Sequence, residues 1–151
     1  MSTNIKRKAF AYITRGNRLL VFEHVDLPEA GIQVPAGTIN KGESPDDAVL
    51  REAHEETGLS LLTVHRFLGA VQRDMNDYGI DEVHHRYFFH LTCDDQTPET
   101  WQHVESQRSD GGPPVRFRFW WVALPDGVPD LIADHDYKLG ELDANTAWFR
   151  I

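Results

Sequence analysis

Short apolar runs separated by polar turns dominate the chain, and this pattern predicts a structure rich in β-strands. The runs predicted as strands are residues 8–14, 18–24, 62–71, 84–92 and 115–124. The sequence RGN between the first two runs predicts a β-hairpin. Residues 31–39 are also strand-like, but Pro35 and Gly37 must end regular strand pairing there.

One segment between the strands has helical spacing instead. Ser44 is a favourable N-cap, and Pro45 suits the first helical position. Val49 and Ala53 lie on one apolar stripe, and Gly58 is placed to end the helix in a left-handed conformation. The sequence therefore predicts one amphipathic helix that packs against the sheet.

The order of these elements predicts a single α/β domain over residues 1–151. A second, short helix is predicted at residues 135–142. The polar segments at residues 73–83 and 94–114 are predicted as loops, and a loop as long as the second is usually functional or disordered.

Composition narrows the classes of function. The chain has 151 residues and a formal net charge of −9, which disfavours nonspecific binding to nucleic acid or to an anionic membrane. The single cysteine, Cys93, excludes an internal disulfide and fits a reducing cytosol. No apolar run is long enough for a signal peptide or a membrane span, so we expect a cytoplasmic protein.

Three carboxylates crowd the second half of the predicted helix, at Glu52, Glu55 and Glu56. Like charges three or four positions apart destabilise a helix by roughly 0.2–0.5 kcal/mol per pair, and the negative end of the helix dipole adds to this. The three lie within about a 100° arc beside the apolar stripe. A hard cation, Mg²⁺ or Mn²⁺, would compensate them and implies a phosphate-bearing substrate. A solvated acidic helix face is the alternative.

The residues around these acids follow the spacing G-x5-E-x7-R-E-U-x-E-E-x-G-U, where U is aliphatic. The stretch GTINKGESPDDAVLREAHEETGL thus resembles the box of the Nudix hydrolase family, with Ala53 as a small occupant of one aliphatic position. The resemblance implies a Nudix-type α/β/α sandwich around a mixed β-sheet. It also implies hydrolysis of the pyrophosphate bond in a nucleoside diphosphate linked to another moiety.

The same resemblance implies a role for each residue of the box. Glu52 and Glu56 would be the principal Mg²⁺ ligands, Glu55 would complete the catalytic carboxylate set, and the Gly37 carbonyl would offer a further oxygen.

Three further residues of the box would support it structurally. Glu43 and Arg51 would form an ion pair that holds the loop against the helix, and Gly58 would end the helix.

A catalytically silent nucleotide sensor of the same fold is the alternative, although no box glutamate is missing. An isopentenyl-diphosphate isomerase would need a catalytic cysteine, and Cys93 is poorly placed for that role.

An in-line attack by water needs a further group from outside the helix. The polar segment at residues 94–114 offers Glu99, Glu105 and Asp110. Turn chemistry accounts for Glu99 and Asp110, so Glu105 is the chosen candidate for the catalytic base or extra ligand, with Glu82 as the runner-up.

His84, Arg86 and His90 share one face of a predicted strand. Arg86 is the candidate for substrate binding, and a solvated sheet face is the alternative. Zinc is not expected without a suitable fourth ligand.

The identity of the substrate is left open by the sequence. The stretch VPAGTI is similar to members that hydrolyse ADP-ribose and sugar nucleotides, while dinucleoside polyphosphates and modified nucleoside triphosphates also fit. A homodimer is compatible with the resemblance.

Overall fold

Seven strands form one mixed β-sheet in the computed structural model, which describes residues 4–105 and 111–145. The strands and the α-helix are β1 (Ile5–Arg15), β2 (Arg18–His24), β3 (Ala36–Thr38), α1 (Pro45–Thr57), β4 (Leu62–Asp74), β5 (Val83–Cys93), β6 (Thr100–Glu105) and β7 (Val115–Ala123). Short 3-10 turns occur at Pro28–Ala30, Asn76–Tyr78, Ile132–Asp134 and Leu139–Asn145. In these two stretches of chain, no helix is long and apolar enough to span a membrane.

The sheet order is β4-β5-β1-β2-β7-β6, and β3 pairs with β1 outside this order. β1 runs parallel to β5, whereas the other pairs are antiparallel. β1 and β2 pair only beside their turn, at Thr14 and Arg15, and β3 takes over the same edge of β1 further along. The predicted α/β class with a mixed sheet is confirmed.

The strand predicted at residues 31–39 is reduced to the three residues of β3. Pro35 has no N–H to donate, and its carbonyl accepts from the Ala11 N–H at 2.8 Å. Before it, Gln33 makes only an isolated bridge to Phe22 of β2. The segment therefore pairs first with β2 and then with β1 before the chain enters the helix.

The helix begins and ends where the sequence predicts. The Ser44 side chain accepts from the Asp47 N–H at 3.2 Å, and Gly58 has a left-handed φ of 80°. The Gly58 N–H donates to the His54 carbonyl at 2.9 Å. Val49 and Ala53 are buried in the core between α1 and one face of the sheet.

The helix predicted at residues 135–142 is only partly confirmed, because helical structure of the 3-10 type begins at Leu139. The structure has 3-10 turns at Ile132–Asp134 and Leu139–Asn145. The buried Tyr12 hydroxyl donates to the His135 carbonyl at 2.6 Å and accepts from the Lys138 N–H at 3.1 Å. Because Tyr12 takes both backbone groups, they do not serve an α-helix. This segment covers the sheet face opposite α1, where Leu142 is buried.

The loop predicted at residues 94–114 is also partly wrong, because it contains β6, which pairs with β7. Every second side chain of β6 faces α1. Trp101 Nε1 donates to the Thr57 carbonyl at 3.1 Å, and His103 Nε2 lies 3.0 Å from the Glu55 carbonyl. The carbonyls in the last turn of α1 lack N–H partners within the helix, and β6 provides hydrogen-bond donors for them.

Gly58→Ala should lower the melting temperature, measured by thermal unfolding. An alanine there would keep the positive φ, which costs about 1–2 kcal/mol, and its Cβ would lie 2.9 Å from His103 Nδ1. Gly42→Ala is the matched control, because Gly42 has φ 81° and nothing within 4 Å of the added Cβ. We expect Gly58→Ala to lose more stability than Gly42→Ala. Equal losses would show that contact between β6 and the helix end contributes nothing.

Candidate metal centre

Two of the helix acids are buried rather than solvated. Glu52 is 4% exposed and Glu56 is 7% exposed, whereas Glu55 lies at the edge of the buried face. The Glu52 carboxylate lies directly against Gly37 of β3, and a Cβ at Gly37 would overlap that carboxylate. Glycine is therefore required here for the close approach of helix and strand.

Arg51 is the main positive charge among these acids. Its Nε and Nη2 donate to the two carboxylate oxygens of Glu43, both at 2.8 Å. Its Nη1 donates to Glu52 at 2.8 Å and reaches Glu55 at 3.4 Å, and Nη2 also donates to the Thr38 carbonyl at 3.0 Å. One guanidinium thus joins the box loop, β3 and the helix, and it lowers the pKa of Glu43 to about 2.

Glu105 reaches the same place from the end of β6. It is buried, and it lies on the side of the strand that carries Trp101 and His103 toward α1. One carboxylate oxygen from each of Glu52, Glu55 and Glu105 lies within 4.8 Å of the others. The structure therefore brings together three acids from two different elements.

Glu56 is beside this group but is held differently. Its Oε1 accepts from the Ala36 N–H at 3.1 Å. Burial raises the pKa of Glu56 well above its ordinary value, and the negative charge of Glu105 raises it further. Burial also raises the pKa of Glu52, against the opposing effect of Arg51.

The donor set fits a hard divalent cation. All the converging side-chain atoms are carboxylate oxygens, which suit Mg²⁺ or Mn²⁺ better than a soft metal. The raised pKa values of Glu52 and Glu56 show that burial disfavours their charged forms. A bound cation would reverse that effect, because opposite charge favours ionised carboxylates.

The other candidate bases lie elsewhere. Glu82 lies 3.0 Å from His84 Nε2, and Glu99 pairs with Arg18 at 3.1 Å in an exposed ion pair. Asp110 lies outside the described residues. None of these is among the grouped carboxylates in the part of the chain that the structure describes.

The histidine face of β5 is not solvated. His84, Arg86 and His90 are all buried, so the alternative of a wet sheet face is wrong. The reason is that the turns after residue 130 cover this side of the sheet, and Arg86 Nη1 donates to the Ala133 carbonyl at 2.6 Å.

Lys8 is a neighbour of the site that the sequence does not single out. Its ammonium donates to Thr38 Oγ1 at 2.9 Å, and its positive charge partly opposes the rise that burial causes in the pKa of Glu52 and of Glu56. Its only sequence signal is that it begins a predicted strand, and the pairing of β1 with β3 brings it to the box.

Comparison with known proteins gives a match along most of the chain. A family profile described as NUDIX domain matches residues 5–141. A stretch of 45 residues is 44% identical to an RNA pyrophosphohydrolase from Bartonella clarridgeiae, and covers 29% of this chain and 26% of that protein.

Two solved structures have a similar fold over most of the chain. The crystal structure of a UDP-X diphosphatase has a TM-score of 0.63 and 18% identity, covering 94% of this chain and 63% of the other. The MutT NUDIX hydrolase from Burkholderia pseudomallei has a TM-score of 0.61 and 22% identity, covering 92% of this chain and 98% of the other. At such identities, the similarity concerns the fold alone.

Arg51→Ala should destabilise the metal-free protein by about 2 kcal/mol, since it leaves charged hydrogen-bond partners unpaired. Glu52→Gln keeps the bidentate pair between Arg51 and Glu43 and should have little effect on stability. Thermal unfolding in EDTA at neutral pH measures both. Similar melting temperatures for the two variants would contradict this difference in roles.

The stability of the metal-free protein should depend on the charge of Glu56. The folded-state pKa of Glu56 lies above the ordinary value of 4.5, so its stabilising effect is complete below about pH 4.5 and disappears as the pH rises through the raised pKa. The buried histidines act in the opposite direction, because burial lowers their pKa values. The effect of Glu56 is therefore measured as the difference in melting temperature between wild type and Glu56→Gln.

We expect Glu56→Gln to gain melting temperature relative to wild type between pH 5 and pH 8 in EDTA, on the order of a few degrees. Addition of Mg²⁺ should reduce this difference by stabilising the wild type. Glu29→Gln is the control, because Glu29 is exposed. A pH-independent difference between wild type and Glu56→Gln would contradict the buried-charge explanation.

Proposed function

Because this chain belongs to the NUDIX domain family, we propose that it is a pyrophosphohydrolase that requires a divalent cation. Its substrate would be a small molecule in which a nucleoside diphosphate is linked to another moiety, and the pyrophosphate bond would be cleaved. The observation that carries this proposal is the convergence of Glu52, Glu55 and Glu105 on one volume.

In this proposal Glu52 and Glu55 hold Mg²⁺, or Mn²⁺ in its place, through carboxylate oxygens, and Glu105 faces the same volume from β6. Glu56 and the Gly37 carbonyl are additional oxygen donors beside them. The bound cation would neutralise the diphosphate and lower the pKa of the attacking water.

The chain's own residues orient these groups. Arg51 donates to Glu52 and Glu55 and so fixes their carboxylates, while its pair with Glu43 fixes Arg51 itself. Gly37 leaves the space that the Glu52 carboxylate fills. This division makes Glu43 and Arg51 positioning residues rather than catalytic ones.

Glu105 is our candidate for the base. It comes from β6 rather than from the helix, so its carboxylate can accept the proton of a water molecule on a side that Glu52 and Glu55 do not cover. The water oxygen then bonds to phosphorus, the anhydride P–O bond breaks, and the bond electrons stay on the departing phosphate oxygen.

Two related activities are less well supported. Cys93 is buried, and burial raises the pKa of its thiol to about 11, which disfavours the thiolate that an isomerase nucleophile needs. A catalytically silent sensor would not require the complete set of acids.

The net charge of −9 also supports a small-molecule substrate over nucleic acid or membrane, and the single buried cysteine supports a cytoplasmic location.

A panel of candidate substrates would identify the moiety that is linked to the nucleoside diphosphate. ADP-ribose, sugar nucleotides, dinucleoside polyphosphates and modified nucleoside triphosphates are the classes to compare. The relative named RNA pyrophosphohydrolase adds RNA to that panel, although it matches only 45 residues of this chain.

With the best substrate, Glu52→Gln should lower Mg²⁺-dependent turnover more than the roughly 10–100-fold that is typical of residues behind the ligands. Glu105→Gln should lower turnover and flatten the acid limb of the pH–rate profile. Glu82→Gln is the matched control and should behave as wild type, since Glu82 pairs with His84 instead.

Release of phosphate or nucleotide, followed against pH and Mg²⁺ concentration, measures all three variants. Wild-type behaviour of Glu105→Gln would remove Glu105 from the site. Nucleotide binding without turnover of any substrate class would favour the sensor.

A further inference from the structure

A cavity of about 170 Å³ lies beside the acid cluster. It is here called the Arg86 cavity, and its polar lining consists of Lys8, Gln33, His84, Arg86 and His135. Gly37 also lines this cavity, and the Glu52 carboxylate lies against Gly37. The cavity and the acid cluster are thus separated by little more than the backbone of β3.

The register of the sheet explains how two cations come together here. Lys8 of β1 and Arg86 of β5 are direct partners in the parallel pair, so their side chains leave the sheet on the same side. The next residue on that side of β1, Phe10, contributes an apolar wall to the cavity, and its ring packs on Phe88 of β5 with ring centroids 4.8 Å apart.

Arg86 is a buried charge without a direct counterion. It is 2% exposed, and no carboxylate of the described residues lies within 4.0 Å of its guanidinium. Its Nε is buried and has no hydrogen-bond partner. Among the described residues, the hydrogen-bond partners of the two Nη atoms are the Ala133 carbonyl and, at 3.4 Å, the Met75 sulfur.

Such an arrangement is costly in the absence of an anion, because a buried charge needs a partner of opposite sign. Burial and the nearby Arg73 together lower the pKa of Arg86 to about 10, against the opposing effect of Asp134. The group still carries its charge at neutral pH, so the missing element is a negative one.

His84 also lines the cavity. It is 8% exposed, its Nε2 lies 3.0 Å from Glu82, and its buried Nδ1 has no hydrogen-bond partner. Burial lowers the pKa of His84, so the cationic side chains rather than this ring supply the donors for an anion. A base would find little room to stack on Phe10, which already packs on Phe88 and lies 4.7 Å from the Arg86 guanidinium carbon. The volume is that of a few water molecules, at about 30 Å³ each, and suits a compact oxyanion.

We propose that the Arg86 cavity binds a phosphate group of the substrate that lies beyond the two phosphates flanking the cleaved bond. This inference rests on the proposed function. It favours substrates with three or more phosphates, such as dinucleoside tetraphosphates, over nucleotide sugars, which have only two. Lys8, which lies between the cavity and the acids, would contact the phosphate chain as it passes from one to the other.

Inorganic phosphate is the first probe, and calorimetric titration at constant ionic strength in EDTA measures its binding. Without a metal the acid cluster repels phosphate, so binding reports a cationic site elsewhere. We expect wild type to bind phosphate and Arg86→Gln to bind it about tenfold or more weakly, since charge-assisted hydrogen bonds are lost.

Arg118→Gln is the matched control, because it removes an arginine that pairs with Glu23 at 2.9 Å, and it should bind phosphate as wild type does. Lys8→Gln is the second cavity variant, in case the loss of the bond to Ala133 prevents Arg86→Gln from folding. It should also weaken phosphate binding. Equal binding by wild type and the cavity variants, or no binding by wild type, would overturn the proposal.

A second arm distinguishes a phosphate of the substrate from free phosphate acting as an effector. The ratio of kcat/KM for diadenosine tetraphosphate to that for ADP-ribose should fall about tenfold in Arg86→Gln, mainly through KM. An unchanged ratio would overturn the assignment to the substrate. Absence of all turnover would refute only the proposed function, because phosphate binding in EDTA is measured without catalysis.

Discussion

The burial of carboxylates at the end of one helix is the constraint on which the structure depends. Glu52 and Glu56 lie against β3 where water cannot fully solvate them, and Gly37 is the residue that permits the contact. Arg51 offsets part of this charge through Glu52 and Glu55. Three carboxylates contact this one guanidinium, so the compensation is incomplete, and the proposed cation would complete it.

The elements around the helix follow from the same constraint. A helix that ends in acids cannot use lysine or arginine of its own last turn to satisfy its terminal carbonyls. β6 supplies the donors instead, through Trp101 and His103, and the alternation of the same strand brings Glu105 to the acids. The strand that stabilises the helix end is thus also the one that adds a carboxylate to the site.

The sequence predicts the parts that depend on local spacing. The helix ends, the hairpin and most strands are confirmed because caps, turns and apolar runs act over a few residues. β6 is not predicted because two of its three inward side chains are polar, so no apolar alternation marks the strand. The first half of the helix predicted at residues 135–142 does not form, because Tyr12, far away in the chain, binds its backbone. Burial of Arg86 likewise depends on the Ala133 carbonyl, which no local pattern reveals.

The two faces of the sheet carry buried charges of opposite sign that are not fully balanced by partners. One face holds carboxylates whose charged forms are disfavoured by burial, and the other holds Arg86 without a direct counterion. The proposed metal-bound phosphate chain would bring a cation to the first face and an anion to the second. Because each unbalanced charge lowers the stability of the ligand-free protein, its neutralisation by ligand would couple binding to stability. Part of the affinity would then come from charges that the fold leaves without a direct partner of opposite sign.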